Sequence, residues 1–247
     1  NGRWNHTDFY QLGYAYYKQN DYQNAINEFN KIIDGSNAIS QNAYYHLAES
    51  YVNLNKKQEA LNAFRTASEM DFNPNIKEDA WLNYAKLSYD IGNPYQSTPE
   101  VLTNFLKNYP KSAYKIEIET LLVDSYISSN NYKEALELLE NNSKSSHKEA
   151  YQKVTFFRAL ELYNNAKYME AKELLENSLS SAVDPIFKAR ATYWLAESNF
   201  QLSNFKTALQ GFLAVKTNPS STQLDEIQNL DYNLAYTYFK LKQYANA

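Results

Sequence analysis

The 247-residue chain has no cysteine, which removes disulfides, thiolate metal sites and a cysteine nucleophile at one stroke. Glycine and proline are scarce, five and six in all, so tight turns and strand-rich architectures have little to build on. No apolar run approaches the ~20 residues of a membrane span, and no signal-peptide pattern is present. Basic residues never run longer than a pair, and the formal net charge is −4. Without a basic field there is nothing to attract nucleic acid, which is excluded as a partner. The three histidines, His6, His46 and His147, have no ligand partner at helical spacing, so no metal is expected. Nucleophile elbows, phosphate-cradling glycine loops and dinucleotide fingerprints are missing too. Carboxylates such as Glu117 with Glu119 and Glu134 with Glu137 read as solvated helix faces. The chain reads as a non-enzyme without a cofactor.

What the chain does have is aromatic: 23 Tyr and 12 Phe among many Ala, Leu, Glu, Lys and Gln. This mixture, poor in breakers, favours helix. A phrase recurs along it. Leu12, Gly13 and Tyr16 precede Tyr22, Ala25 and Phe29. The same order returns as Leu47, Ala48, Tyr51, Ala60 and Phe64, then as Leu122, Val123, Tyr126, Tyr132, Ala135 and Leu139. Leu195, Ala196, Phe205, Ala208 and Phe212 form another copy, and Leu234, Ala235, Tyr238, Tyr244 and Ala247 the last. Weaker copies run through Tyr84, Ala85, Val101 and Phe105, and through Ala159, Leu162, Tyr168, Ala171 and Leu175. Seven copies start 35 to 39 residues apart, counted on positions 12, 47, 84, 122, 158, 195 and 234. In each, the leucine, the small residue and the tyrosine share one helical face, and the small residue lets a second helix approach. One such pair cannot bury its apolar face alone, so neighbouring copies must stack.

This spacing resembles the tetratricopeptide repeat, a helix-turn-helix of 34 residues. The resemblance implies an all-α fold, a right-handed superhelical α-α solenoid of seven helix-turn-helix repeats with the last truncated. The excess over 34 residues should be loop. Gly92 to Ser97 reads as an insertion, with Thr98-Pro99 as N-cap and first helical proline. Asn73-Pro74-Asn75, Ser143 to Ser146, Asp184-Pro185 and Asn218-Pro219-Ser220 read as links between copies. Ser146 with Glu149 reads as a capping box. No stretch has linker composition, so residues 1–247 are expected to form a single solenoid domain. From the open phrase at Ala247 a fragment of a longer protein is expected, or an ordered part that ends early.

In this family the first helices line the concave side, where extended peptides bind. The resemblance therefore places three sets of residues inward. Tyr10, Tyr45, Leu82, Thr120, Phe156, Tyr193 and Tyr232 form the first, and Tyr14, Glu49, Lys86, Asp124, Leu160, Glu197 and Tyr236 the second. Tyr17, Val52, Tyr89, Ile127, Tyr163, Phe200 and Phe239 form the third. Tyrosine joins a rigid ring to a hydroxyl and suits recognition at low entropic cost. The expected partner is a protein or extended peptide segment. Tyr10 and Tyr14 stand where chaperone-binding members carry a Lys and Asn clamp, so chaperone tails are not expected.

Phe105 to Tyr114, with its Tyr109-Pro110-Lys111-Ser112 step, is similar to a phrase in bacterial cell-envelope repeat proteins. Among these are the Tol-Pal coordinating protein and the lipoprotein of the outer-membrane β-barrel assembly machine. In that phrase Pro110 stops one helix and Ser112 caps the next, which points to the periplasm or cell envelope, with the cytoplasm as alternative. Two further readings are a glycan- or peptidoglycan-binding module, with Asn42, Asn53, Gln201 and Asn229 as its amides, and a self-association or domain-joining module.

Overall fold

A computed structural model describes residues 4–142, 147–181, 183–222 and 224–247. The described residues hold thirteen α-helices and no strand. They pair in chain order as α1 (His6–Lys18) with α2 (Tyr22–Phe29), α3 (Ala38–Asn53) with α4 (Lys57–Glu69), and α5 (Pro74–Ile91) with α6 (Thr98–Asn108). Then follow α7 (Lys115–Ser128) and α8 (Tyr132–Asn142), and the pairs α9 (Lys148–Asn164) with α10 (Tyr168–Ser180) and α11 (Pro185–Gln201) with α12 (Phe205–Thr217). The last helix, α13 (Leu230–Lys240), is followed by a 3₁₀ turn, Tyr244–Asn246. The chain divides into two compact units, Asn1–Ser125 and Tyr126–Ala247. Within the first unit each helix from α1 to α5 packs against the next, and within the second each from α8 to α12 does; first helices of adjoining pairs touch, as α1 with α3, α3 with α5 and α9 with α11.

The recurring phrase is the core. The small residue of each first helix (Gly13, Ala48, Ala85, Val123, Ala159, Ala196) is buried. So is its opposite number on the second helix: Ala25, Ala60, Val101, Ala135, Ala171 and Ala208. Four residues on, Phe29, Phe64, Phe105, Leu139, Leu175 and Phe212 are sealed from water. Burying such a side chain contributes about 1.5–3 kcal/mol. Repeating it in every pair makes the stack the main source of stability. Gly13 shows why the small residue matters: a Cβ there would stand 2.8 Å from the Phe29 ring. Ala235, in the last copy, has no second helix over it and is only half-buried.

The turns inside the pairs repeat as closely as the core. Asn20, Asn55, Asn130, Ala166, Ser203 and Lys242 all have φ between 56° and 64°, each eight residues after the leucine position of its copy. In every case the next residue donates its N–H to a carbonyl five back, as Asp21 to Tyr16 (2.9 Å) and Lys167 to Leu162 (2.9 Å). The left-handed residue itself bonds three back, as Asn20 to Tyr17. This is the Schellman closure, which satisfies two carbonyls the helix end would leave open. At the third turn the eighth residue is Gly92, with φ 78° and ψ 171°. Only glycine is at ease there, and the inserted loop begins at that point.

Between pairs, two buried glutamines act as staples. The Gln41 amide donates to the carbonyls of Ala67 (3.1 Å) and Met70 (2.7 Å) and accepts from the Asn73 N–H (2.7 Å). In the other unit Gln152 donates to Asp184 O (3.0 Å) and accepts from the N–H groups of Val183 and Asp184. Each fixes the end of one pair to the start of the next. The links expected at Asn73-Pro74 and Asp184-Pro185 are helix starts, each Asx side chain accepting from two N–H groups with proline at the first helical position.

Several local expectations are corrected. Ser97, not Thr98, is the N-cap residue of α6; the Thr98 hydroxyl instead donates to Ser88 O (2.9 Å), meeting an open carbonyl at the end of α5. Pro110 follows the end of α6, but Ser112 does not cap α7. It sits three residues before that helix and accepts the Tyr114 N–H (3.3 Å) in a short turn. Glu119 is buried beside Lys115 rather than solvated. Ser143 to Ser146, and with them the proposed capping box, lie outside the described residues; α9 begins after His147.

Candidate functional site

In the first unit the tyrosines of α1 form a ladder. Tyr10 stacks on Tyr14 and Tyr14 on Tyr17, each at 6.1 Å between centroids, because positions three and four apart share a helix face. Lys18 places its ammonium over Tyr14 (5.2 Å). Into this ladder α3 inserts His46, whose ring lies 5.0 Å from Tyr14 and 5.2 Å from Tyr17. Its Nδ1 stands 2.8 Å from Glu49 Oε2. Glu49 also draws the hydroxyls of Tyr17 and Tyr45, and Tyr45 bonds to Asp79. Burial first, then the Glu49 charge, pushes the Tyr17 hydroxyl up to about 12. Burial and the neighbouring Tyr14 do the same for Tyr10. Tyr45, held between two carboxylates as well as buried, rises higher still.

The second unit builds the same constellation from different residues. Tyr163, at the position of Tyr17, directs its hydroxyl to Glu197 Oε2 at 3.2 Å. Tyr193, at the position of Tyr45, also bonds to Glu197. Asn233 of α13 donates to the other carboxylate oxygen and to the Tyr193 hydroxyl (2.8 Å). Burial holds the Glu197 carboxyl above its ordinary value, and these three donors offset part of that shift. Beside Glu197 opens a cavity of about 170 Å³, walled by Phe200, Gln201, Tyr232, Asn233 and Tyr236. Tyr232 and Tyr236 of its wall belong to a second ladder, Tyr232 on Tyr236 on Phe239.

The expected inward residues therefore separate into three groups. Tyr10, Tyr14, Tyr17, Tyr45 and Glu49 gather in one site around His46, which was not among them, and Tyr163, Tyr193, Glu197, Phe200, Tyr232 and Tyr236 in the other. Phe156 and Leu82 are corrections: both are buried and offer no surface to a ligand. Phe156 packs against Phe157 and Phe187 under the Arg190 guanidinium. Tyr193 is likewise 4% exposed, so it acts by holding Glu197 and Asn233 rather than by touching a partner. Lys86 is taken up by Glu117 (2.8 Å) and the Tyr114 ring. Tyr89, Val52, Thr120, Tyr232, Tyr236 and Phe239 are exposed, the last three at 69, 39 and 54%.

Sequence reasoning set His46 aside as a scattered histidine. Its signal was present, one residue before the leucine position and three before Glu49, but only the tyrosine ladder of the preceding pair gives that spacing a meaning. Among the described residues no group of His, Asp or Glu is arranged to hold a metal ion. No described helix is long and apolar enough to cross a membrane.

Residues 2–67 match the family model described as anaphase-promoting complex, cyclosome, subunit 3, and residues 158–221 match the tetratricopeptide repeat model. No curated protein matches in sequence. The C-terminal part of a repeat-containing protein of this type from Cytophaga hutchinsonii is similar in structure, with a TM-score of 0.51 at 17% identity. That match covers 96% of this chain and 91% of that one. The Naa15/Naa10 assembly bound to HypK is similar at a TM-score of 0.54 and 14% identity, over 96% of this chain and 34% of that one. At such identities the likeness concerns the fold alone. With the helix pairs, the buried phrase and the matched segments taken together, the chain is similar to tetratricopeptide-repeat proteins in fold and, over residues 158–221, in sequence.

Proposed function

We propose that the chain is a non-catalytic interaction module whose tyrosine-rich first helices bind a segment of a partner protein in a concave groove. The observation that carries this reading is the ladder of Tyr232, Tyr236 and Phe239. Three aromatic rings stack along one face of α13, two of them lining the cavity beside Glu197, as three stack along α1. Exposed rings grouped on one face, with polar groups between them, are what recognition surfaces use. The fold is that of interaction scaffolds, and the hydroxyls of Tyr45 and Tyr163 serve to hold neighbouring carboxylates.

Two of the four amides a sugar would need are engaged within the fold. Asn53 bonds to its own helix at Glu49 O (2.9 Å), and Gln201 reaches the Tyr163 hydroxyl (3.4 Å). This favours a polypeptide over a glycan. The Tyr109 to Ser112 phrase supports placing the module in a bacterial cell envelope, as part of an assembly there, and fractionation of cells expressing the full-length protein tests that placement.

The groove is tested by selecting ligands from a random peptide library on the folded chain. Selected peptides are expected to bind at least about tenfold more weakly to Tyr236→Ala and Tyr232→Ala with helical content unchanged. Undiminished binding by both variants would sink the reading.

A further inference from the structure

The two glutamate sites differ in one respect that names a ligand. Glu49 and Glu197 occupy the same position in their repeats, and each is held by a tyrosine of the preceding pair and a tyrosine of its own helix. In the first unit the carboxylate has an internal partner, the His46 imidazole at 2.8 Å, which fills the space between the rings. In the second unit the residue at the place of His46 is Trp194. Its indole packs against Tyr163 (5.0 Å) and donates to Glu226 instead (3.2 Å). Among the described residues Glu197 has no ion-pair partner. Arg190, on the same helix, is held by Glu226 at 2.8 Å. Lys240 rests over the Tyr236 ring at 5.1 Å. Trp194 thus takes the space of His46 without pairing the carboxylate, and on the other side of Glu197 a cavity opens between α11, α12 and α13.

A carboxylate drawn out of water and given only neutral donors is an unfinished electrostatic arrangement; a cation completes it. Aromatic faces around the opening favour the same charge. Tyr236 already accepts an ammonium on one face. The cavity, at about 170 Å³, is smaller than the roughly 300–1,000 Å³ of a small-molecule site. It fits the end of one side chain.

We propose that the Glu197 cavity receives a single basic side chain, a lysine ammonium or arginine guanidinium, projecting from the bound polypeptide. This rests on the reading of the first helices as a polypeptide-binding face and adds the chemistry of its anchor. Glu197 supplies the charge, Phe200, Tyr232 and Tyr236 supply the ring faces, and Tyr163, Tyr193 and Asn233 position the carboxylate.

The probe is the acetylated, amidated pentapeptide Ala-Ala-Lys-Ala-Ala, titrated into the whole chain with the Trp194 indole and Asn233 amide followed by NMR. It is compared with analogues bearing norleucine or Nε-acetyl-lysine in place of lysine. The lysine peptide is expected to shift both signals and to bind at least about tenfold more tightly than either analogue. Glu197→Gln, with unchanged circular dichroism, is expected to erase that difference. Equal binding of lysine and norleucine peptides, or no response to the lysine peptide at millimolar concentration, overturns the proposal without needing any variant. If all three peptides bind alike and Tyr236→Ala weakens them all, the groove stands and only its cationic anchor falls. If no peptide binds and library selection yields none, both readings fall.

Discussion

The hydroxyl of Tyr163 lies 3.2 Å from the carboxylate of Glu197, thirty-four residues further on. Tyr17 addresses Glu49 in the same manner from the preceding helix pair. Each bond joins the first helix of one repeat to the first helix of the next, so it works both as a fastening between repeats and as a way to hold a charge at a fixed place. Tyr163→Phe keeps the ring against Trp194 and removes only the donor. The expected loss is about 1–2 kcal/mol of stability, because the bond is to a charged group that is partly withdrawn from water. Urea unfolding of the variant beside Tyr168→Phe, whose ring contacts Tyr163 on its edge, separates the hydroxyl from the ring.

His46 acts as an internal ligand of the first site, and its removal should leave a vacancy of known shape. His46→Ala is expected to cost about 2–3 kcal/mol through lost ring contacts and an unfilled space. Added imidazole should then raise the melting temperature of the variant and leave the wild type unchanged, since only the variant has room to bind it. A melt of His46→Ala indifferent to imidazole would show that the rings collapse into the gap.

Three of the left-handed turn residues, Ala166, Ser203 and Lys242, are types that tolerate a φ near 60° poorly. Replacing Ala166 with glycine is expected to stabilise the protein by about 0.5–1 kcal/mol, the relief of strain exceeding the added freedom of the unfolded chain. Ala15→Gly, in the middle of α1, should destabilise by about the same amount. Opposite signs in chemical denaturation confirm the turn geometry.

The buried glutamines give a larger effect. Gln41→Leu would leave the carbonyls of Ala67 and Met70 and the N–H of Asn73 without their partner. The expected cost is about 3 kcal/mol. Gln152→Leu should behave alike, as it closes the equivalent junction in the second unit. A change in urea midpoint of less than about 0.5 kcal/mol equivalent would mean that these junctions are held by packing alone.

Raised tyrosines make the fold sensitive to alkali. Tyr10, Tyr17 and Tyr163 titrate near 12 when folded and near 10 when unfolded. The unfolded chain therefore releases these protons first as pH climbs. Their contribution is complete below pH 10 and is lost between 10 and 12. Thermal melts should fall steeply across that window, with tyrosinate absorbance appearing together with unfolding rather than before it.

How much of this was written in the residues can be judged position by position. Leu47, Ala48, Ala60 and Phe64 announced a helix pair because a helix has a fixed period, and a period needs only the chain itself. Tyr10, Tyr14 and Tyr17 were legible as one face for the same reason. The N-cap of α6 was misplaced by one residue because Thr98 had a rival acceptor, the Ser88 carbonyl, that only the folded loop brings near. Phe156 was assigned to the inner surface because its place in the repeat matches that of Tyr10, Tyr45 and Tyr232, while Arg190 and Phe187 from α11 cover it.

By itself, then, the sequence determined helices, their pairing and the buried column of small and aromatic residues, since each follows from spacing within about one repeat. Tertiary structure alone decided that His46 answers Glu49 and that nothing in the described chain answers Glu197 with a charge. That difference depends on which side chain of the neighbouring repeat reaches a carboxylate. Such reach is set by how one helix lies upon the next, a relation no single stretch of residues carries.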